Sequence, residues 1–189
     1  MTDQSDSHRH LKDAIFSHSI VSGAYLLALA MALVVGTALG FEHIGGYIPC
    51  ALCLEQRTPY YLGIALAILA AIMASAERAA MARLVMLACG GLMLYGAGLG
   101  AYHAGVEWGF WPGPATCATG STTGIATDAQ SLLDSLNTLR PPSCDQAALR
   151  FAGLSFAGWN VITSMLLAAF AFWCAAKAPP RRVSARHMP

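Results

Sequence analysis

The sequence predicts an all-α integral membrane protein, a four-transmembrane-helix bundle with two outer loops, and two observations lead to this fold class. Hydrophobic residues make up 56% of the 189 residues and charged residues only 11%, whereas charged residues reach about 25% in soluble domains. The second observation is that four long stretches contain no Asp, Glu, Lys or Arg. These stretches are continuously apolar rather than alternating, so we predict helices rather than the strands of a membrane barrel.

The charge-free stretches locate the four spans. They lie between Asp13 and Glu42, Arg57 and Glu77, Arg83 and Glu107, and Arg150 and Lys177. Each is long enough to cross the bilayer, because a helix needs about 20 apolar residues to do so. We place the spans near residues 18–41, 59–76, 84–102 and 155–176. The remaining segments are an N-terminal segment of residues 1–17, outer loops of residues 42–58 and 103–154, and a tail of residues 177–189.

Lysine and arginine are distributed unequally between the two sides of the membrane. The N-terminal segment, the loop between spans two and three and the tail carry most of them, whereas the outer loops carry only Arg57, Arg140 and Arg150. Since short basic loops stay in the cytoplasm, we predict that both termini are cytoplasmic. A net charge of +1 with no basic stripe beyond the tail excludes a protein that binds nucleic acid.

The six cysteines divide between the spans and the outer loops. Cys89 and Cys174 lie within spans three and four, where we expect them to pack as small apolar residues. The other four face one compartment, with one pair in each outer loop: Cys50 with Cys53, and Cys117 with Cys144. The exported side of a membrane is oxidising and favours disulfides.

Cys50 and Cys53 form a Cys-x-x-Cys motif, in which one thiol commonly has a lowered pKa and reacts readily. If these two pair with each other, Cys117 and Cys144 remain as a second pair. Thiolate attack would then move electrons from pair to pair without a metal. Two structural disulfides that only stabilise the outer loops explain the cysteine spacing equally well. A zinc ion held by four thiolates is a third interpretation, which an oxidising compartment disfavours.

Arg57 is the only basic residue of the first outer loop and lies four positions after Cys53. In a helix the two residues share a face, so the guanidinium would stabilise the Cys53 thiolate. It would also stabilise an anionic reduced carbonyl compound, and a lipid-soluble quinone fits that place and that charge. The alternative is that Arg57 extends to the lipid head groups.

One helical pattern stands out in the second outer loop. Between Asp128 and Leu139, leucines recur at helical spacing at Leu132, Leu133, Leu136 and Leu139. This pattern predicts a short amphipathic helix that lies on the membrane surface or packs on its own loop.

Three parts of the chain together resemble the disulfide bond formation protein B family, DsbB. The first is PCALCLEQRTPY at Pro49–Tyr60, and the second is YHAGVEW at Tyr102–Trp108, followed by FWPGP. The third is Cys144-Asp145 with GLSFAGWN at Gly153–Asn160. The resemblance extends over about residues 18–176. It implies a multi-pass protein of the bacterial inner membrane with periplasmic outer loops.

The resemblance also implies a reaction, in which the protein is a thiol–quinone oxidoreductase. A reduced DsbA-like protein of the thioredoxin fold would be oxidised through attack on Cys117. Cys144 would then exchange with Cys50, and Cys53 would face the quinone, which would be ubiquinone or menaquinone from the membrane pool. No metal takes part in this scheme.

Two further residues take their expected roles from the resemblance. Arg57 matches the family's quinone-adjacent arginine. His103 lies one residue from the position of the family's quinone-side histidine, as counted back from Cys117. The alternative for His103 is an interfacial histidine that is hydrogen-bonded to a loop carbonyl.

Two other functions remain open at this point. One is a membrane redox protein like vitamin K epoxide reductase, although the Cys-x-x-Cys motif of that family normally lies late in the chain. The other is a non-catalytic membrane subunit with structural disulfides. Depletion of quinone distinguishes a non-catalytic subunit from an electron relay. Relay cysteines would then accumulate as thiols, whereas structural disulfides would stay oxidised.

Overall fold

The computed structural model describes residues 3–118 and 143–177. Within these ranges the chain is mostly helical. The helices are α1 (Asp3–His43), α2 (Ala51–Glu55), α3 (Thr58–Ser75), α4 (Ala79–Glu107), α5 (Ala115–Ala118) and α6 (Phe156–Ala176), with two short strands, β1 (Arg150–Phe151) and β2 (Leu154–Ser155). The predicted amphipathic helix near Asp128–Leu139, Arg140 and the tail beyond Lys177 lie outside the described residues.

Four helical segments are long and apolar enough to cross a membrane. Their mean hydropathy lies between 1.6 and 2.1, and they comprise Ile20–His43, Ala51–Ser75, Ala79–Glu107 and Phe156–Ala176. Many large apolar side chains on them are exposed, among them Leu26, Leu33, Leu84 and Leu166. Side chains of this kind suit contact with lipid tails. The predicted all-α class with four membrane-spanning helices is confirmed.

Helix α4 is longer than the charge-free stretch from which it was predicted. We placed the third span at residues 84–102, but the helix begins at Ala79 and ends at Glu107. Arg83 and Glu107 ended the charge-free stretch, yet both are helical. His103, which we expected at the start of the second outer loop, therefore lies in the last turns of α4.

The first outer loop differs from the prediction in a similar way. Residues 42–58 contain the short helix α2, and a turn at Gln56 and Arg57 separates it from α3. Pro59 follows the first residue of α3, where the lack of an amide hydrogen costs nothing because the first turn of a helix has no acceptor for it. The Cys-x-x-Cys motif therefore begins a helix and does not lie in an extended loop.

The described residues form two compact units. The first comprises residues 3–33, 61–93 and 166–177. Its helices approach closely at small residues, because a Cβ at Gly63 would collide with Met31 and one at Gly90 would collide with the Phe172 ring. Cys89 and Cys174 are buried here, as predicted for packing residues.

The second unit comprises residues 34–60, 94–118 and 143–165, and it contains the other four cysteines. Its two strands form an antiparallel hairpin, with Arg150 opposite Ser155. The turn residues Ala152 and Gly153 have φ values of 51° and 83°, as a two-residue hairpin turn of type I′ requires. The indole of Trp159 donates to the Phe151 carbonyl at 3.0 Å and so joins the hairpin to α6.

Candidate functional site

The Cys-x-x-Cys pair is built around the first turn of α2. Cys50 is the N-cap residue, with φ −74° and ψ 170°, and its sulfur accepts the Cys53 amide hydrogen at 3.3 Å. This cap directs the two side chains towards each other, and their sulfur atoms lie 2.6 Å apart. A disulfide bond is about 2.05 Å long, so the pair needs only a small movement to close.

The environment of Cys50 favours the thiolate. The Cys53 thiol donates a hydrogen bond to the Cys50 sulfur, and this contact is the main reason why the pKa of Cys50 falls from 9.0 to about 4. Burial opposes the shift, and a hydrogen bond from His103 supports it. The lowered pKa favours the thiolate form of Cys50 near neutral pH.

Cys117 and Cys144 form the second pair, as a disulfide across 27 positions with Cα atoms 5.4 Å apart. Both cysteines are buried, at 8% and 1% exposure. They belong to one buried cluster that also holds Cys50, and we call it the cysteine cluster; its members are Cys50, Leu52, Val106, Cys117 and Cys144. Cys53 packs against this cluster. The four outer cysteines are therefore gathered in one place, although they come from two distant parts of the sequence.

His103 extends from α4 to the Cys-x-x-Cys pair. Its Nε2 lies 3.7 Å from the Cys50 sulfur, within hydrogen-bonding distance for sulfur, and its side chain is almost fully buried. Glu107, one turn later on the same helix, places Oε1 3.8 Å from the same nitrogen. The other carboxylate oxygen of Glu107 is buried and has no hydrogen-bond partner among the described residues.

A chain of polar side chains holds His103 from the other side. Gln56 Nε2 lies 2.7 Å from His103 Nδ1, and Gln56 Oε1 accepts from Asn160 Nδ2 at 2.7 Å. The Tyr60 hydroxyl donates to Asn160 Oδ1 at 2.6 Å. Our sequence analysis assigned no functional role to Gln56, Tyr60 or Asn160. The available signal was the presence of Asn160 and Ser164 in an otherwise apolar span, since polar residues there commonly serve function.

A cavity of about 620 Å³ lies beside these groups, within the second unit. Most of its lining is apolar, and the polar or reactive groups that reach it include Cys53, Gln56, Arg57 and His103. Three residues predicted to face a quinone therefore line one cavity. Pockets of this size, mainly apolar with a few convergent polar groups, are typical ligand sites.

Arg57 reaches the cavity, but its charge is paired differently from our expectation. We predicted that its guanidinium would lie beside Cys53 on one helix face. A turn separates α2 from α3 at this point, and Arg57 Nη1 instead lies 2.5 Å from Glu42 Oε2. Both side chains are largely buried, at 14% and 25% exposure.

Cys50, Cys53 and His103 also satisfy the spacing of a metal site, because their ligand atoms lie within 4.8 Å of one another. The surroundings of His103 do not fit this use. A histidine that binds metal usually donates its other ring N–H to an acceptor, whereas Nδ1 of His103 faces the amide nitrogen of Gln56. This nitrogen donates, so Nδ1 must accept, and the proton then occupies Nε2, the atom a metal would need.

The comparison with known families adds a decisive observation. The family described as "Disulfide bond formation protein DsbB" matches residues 22–174. The chain belongs to the DsbB family. It is therefore a multi-pass membrane protein of disulfide bond formation, with the general chemistry of a thiol oxidoreductase. The match includes all six cysteines and all of the four membrane-spanning segments except residues 20–21 and 175–176.

The chain is also similar to an uncharacterized protein of Rickettsia prowazekii (strain Madrid E). The two are 24% identical over 138 residues, which is 73% of this chain and 77% of the relative. No solved structure matches the chain significantly. Because this relative is uncharacterized, it suggests no function for this DsbB family member. The details of the chemistry are therefore inferred from the geometry of the site.

Proposed function

We propose that this protein reoxidises a periplasmic DsbA-like dithiol and passes the electrons through two cysteine pairs to a membrane quinone, which sustains disulfide bond formation. One observation carries the proposal. Cys117 and Cys144 lie in the same buried cluster as Cys50, and Cys53, which packs on that cluster, also lines the cavity. The cysteine cluster thus connects an exchangeable disulfide with a site for an electron acceptor.

The first exchange occurs at Cys117. A thiolate of the reduced partner attacks its sulfur, the bond to Cys144 breaks, and the electron pair stays on Cys144. The second thiol of the partner then attacks the mixed disulfide and releases Cys117 as thiolate. The partner leaves oxidised, and the second pair holds its two electrons.

The second exchange passes these electrons to the Cys-x-x-Cys pair. The Cys144 thiolate attacks Cys50 and breaks the Cys50–Cys53 bond. Cys117 then attacks Cys144, which restores their disulfide and leaves both Cys50 and Cys53 reduced. At this point of the proposed cycle Cys117 is joined to Cys144, and Cys50 and Cys53 are thiols.

The cavity fits a quinone in both volume and chemistry. An apolar wall accommodates a lipid-soluble ring and tail, and His103 is part of the lining. Arg57 brings a hydrogen-bond donor to the same cavity, which would stabilise a quinone oxygen as it becomes negative. A bound quinone would supply a two-electron, two-proton acceptor next to Cys53. Ubiquinone and menaquinone both meet these requirements.

The membrane orientation follows from the same proposal. The DsbA-like partner needs the cysteine cluster on the periplasmic side of a bacterial inner membrane. The segments 1–17 and 177–189 would then be cytoplasmic, as the distribution of lysine and arginine favours. The outer loops, predicted as residues 42–58 and 103–154, would face the partner.

The test is quinone reduction by the purified protein in detergent, with a reduced DsbA-like protein as electron donor. We expect ubiquinone or menaquinone absorbance to fall in the wild type and to stay constant with Cys53→Ser. Cys89→Ser is the matched control, because Cys89 is buried in the other unit and should not affect the rate. No reduction of either quinone by folded protein would overturn the proposal and favour structural disulfides.

A further inference from the structure

The hydrogen bonds around Gln56 have a fixed direction. Its side-chain Nε2 lies 3.2 Å from the main-chain carbonyl of Leu52. A carbonyl oxygen only accepts hydrogen bonds, so the amide nitrogen, and not the amide oxygen, must occupy this position. The choice between the two ends of a glutamine amide is often ambiguous, but here the main chain decides it.

Asn160 is oriented in the same way by another main-chain group. Its Nδ2 lies 3.3 Å from the carbonyl of Gly96 and must donate there. Its second hydrogen then points to Gln56 Oε1, and its own Oδ1 accepts from Tyr60. In this series of hydrogen bonds from Tyr60 through Asn160 to Gln56, each donor therefore faces an acceptor.

The consequence appears at His103. Gln56 uses one N–H for Leu52 and directs the other at His103 Nδ1, 2.7 Å away. Nδ1 has to accept this hydrogen, so the ring proton is on Nε2. The titratable groups that face this Nε2–H are the Cys50 sulfur at the start of α2 and the Glu107 carboxylate of α4. In a doubly protonated ring, the Nδ1–H of His103 would point at the N–H of Gln56, and neither group could accept a hydrogen bond.

We propose that Gln56 is a positioning residue that fixes His103 as the Nε2–H tautomer, so that His103 donates a hydrogen bond to the Cys50 thiolate and does not take up its proton. This inference rests on the proposed function. The donor acts in the second exchange, when Cys117 forms its bond to Cys144 and the Cys144–Cys50 bond breaks. The electron pair then passes to the Cys50 sulfur, and no proton moves.

Nitrogen-15 NMR of histidine-labelled protein in detergent tests the proposal, with signals assigned by a His103→Asn variant. In the reduced wild type we expect His103 to have a protonated Nε2 and an unprotonated Nδ1. Gln56→Glu places an acceptor opposite Nδ1, so we expect a protonated Nδ1 in this variant. Gln146→Glu is the matched control, because Gln146 is exposed, and the control should keep the wild-type signature.

Gln56→Leu provides a second measurement in case the carboxylate disturbs the fold. It removes the donor without adding charge, and we expect His103 to populate both tautomers. The rate of quinone reduction should fall about tenfold or more, as for the loss of one hydrogen bond to a charged group. A merely structural role of Gln56 would lower the rate without changing the tautomer.

The outcomes separate the inference from the proposed function. A protonated Nδ1 in an active wild type, or an unchanged signature in both Gln56 variants, would overturn the inference alone. A protein with the Nε2–H signature that reduces no quinone would overturn the proposed function, and the donor role of His103 with it.

Discussion

Arg57 Nη1 lies 2.5 Å from Glu42 Oε2, so the guanidinium beside the cavity is already paired with a carboxylate. Both residues line the cavity. The pair matters because a largely buried charge that loses its partner is costly. Glu42, 15 positions earlier in the chain, thus holds the Arg57 guanidinium at the cavity wall.

Variants of this pair give the first prediction. Arg57→Gln should lower kcat/KM for quinone by about a hundredfold, because it removes a donor that stabilises developing negative charge. Glu42→Gln should have a smaller effect, since the guanidinium remains. We expect the double variant to be no slower than Arg57→Gln, because Glu42 acts through Arg57. Glu77→Gln, at an exposed turn outside the second unit, is the control; additive losses in the double variant would contradict the prediction.

The second prediction concerns pH and the Cys50 thiolate. Its pKa is lowered from 9.0 to about 4 in the folded protein, so its contribution to stability is complete above pH 9.0 and is lost as the pH falls towards 4. The melting temperature of the reduced wild type should therefore exceed that of reduced Cys50→Ser by a margin that shrinks on acidification. The thiolate absorbance of reduced protein should persist well below neutral pH.

The oxidised protein is the control for this pH dependence, because a disulfide does not titrate. Once Cys50 and Cys53 are joined, acidification between pH 9.0 and 4 should no longer alter stability through Cys50. If the difference in melting temperature between reduced wild type and reduced Cys50→Ser does not vary with pH, Cys50 is not a stabilised thiolate.

The third prediction tests the arrangement of the cysteine cluster. The double variant Cys53→Ser with Cys117→Ser leaves Cys50 and Cys144 as the remaining cysteines of the cluster. We expect mild oxidation to join them, and peptide mapping under non-reducing conditions detects the bond. Cys50→Ser with Cys117→Ser is the matched control and should give much less Cys53–Cys144 bond. Equal yields from the two proteins would argue against direct exchange between Cys144 and Cys50.

The fourth prediction concerns the segment that precedes Cys117. A Cβ at Gly105 would overlap the Trp111 ring, whereas one at Gly98 would meet nothing within 4 Å. Gly105→Ala should therefore destabilise the protein by about 1–3 kcal/mol through overpacking. Gly98→Ala should be neutral or stabilising by up to about 1 kcal/mol. Denaturant titration in detergent measures both, and similar stability of the two variants would refute the prediction.

The sequence was sufficient for the number of spans and for the Cys-x-x-Cys motif, because charge and short cysteine spacings are local signals. It was not sufficient for the contacts of His103 and Arg57. Gln56 and Asn160 are 104 positions apart, and hydropathy does not define which faces of two helices meet. The helical start of the second outer loop was not predicted for another reason, since Glu107 ends a charge-free stretch but is buried within a helix.

The Cys117–Cys144 bond joins two points 27 positions apart, and this separation gives it an entropic role. In a simple polymer description, closing a loop of that length lowers the entropy of the unfolded chain and so stabilises the folded protein by about 3–4 kcal/mol. In the proposed cycle, the covalent bond that stores the oxidising equivalent is therefore also a stabilising cross-link, which opens and closes once in each turnover.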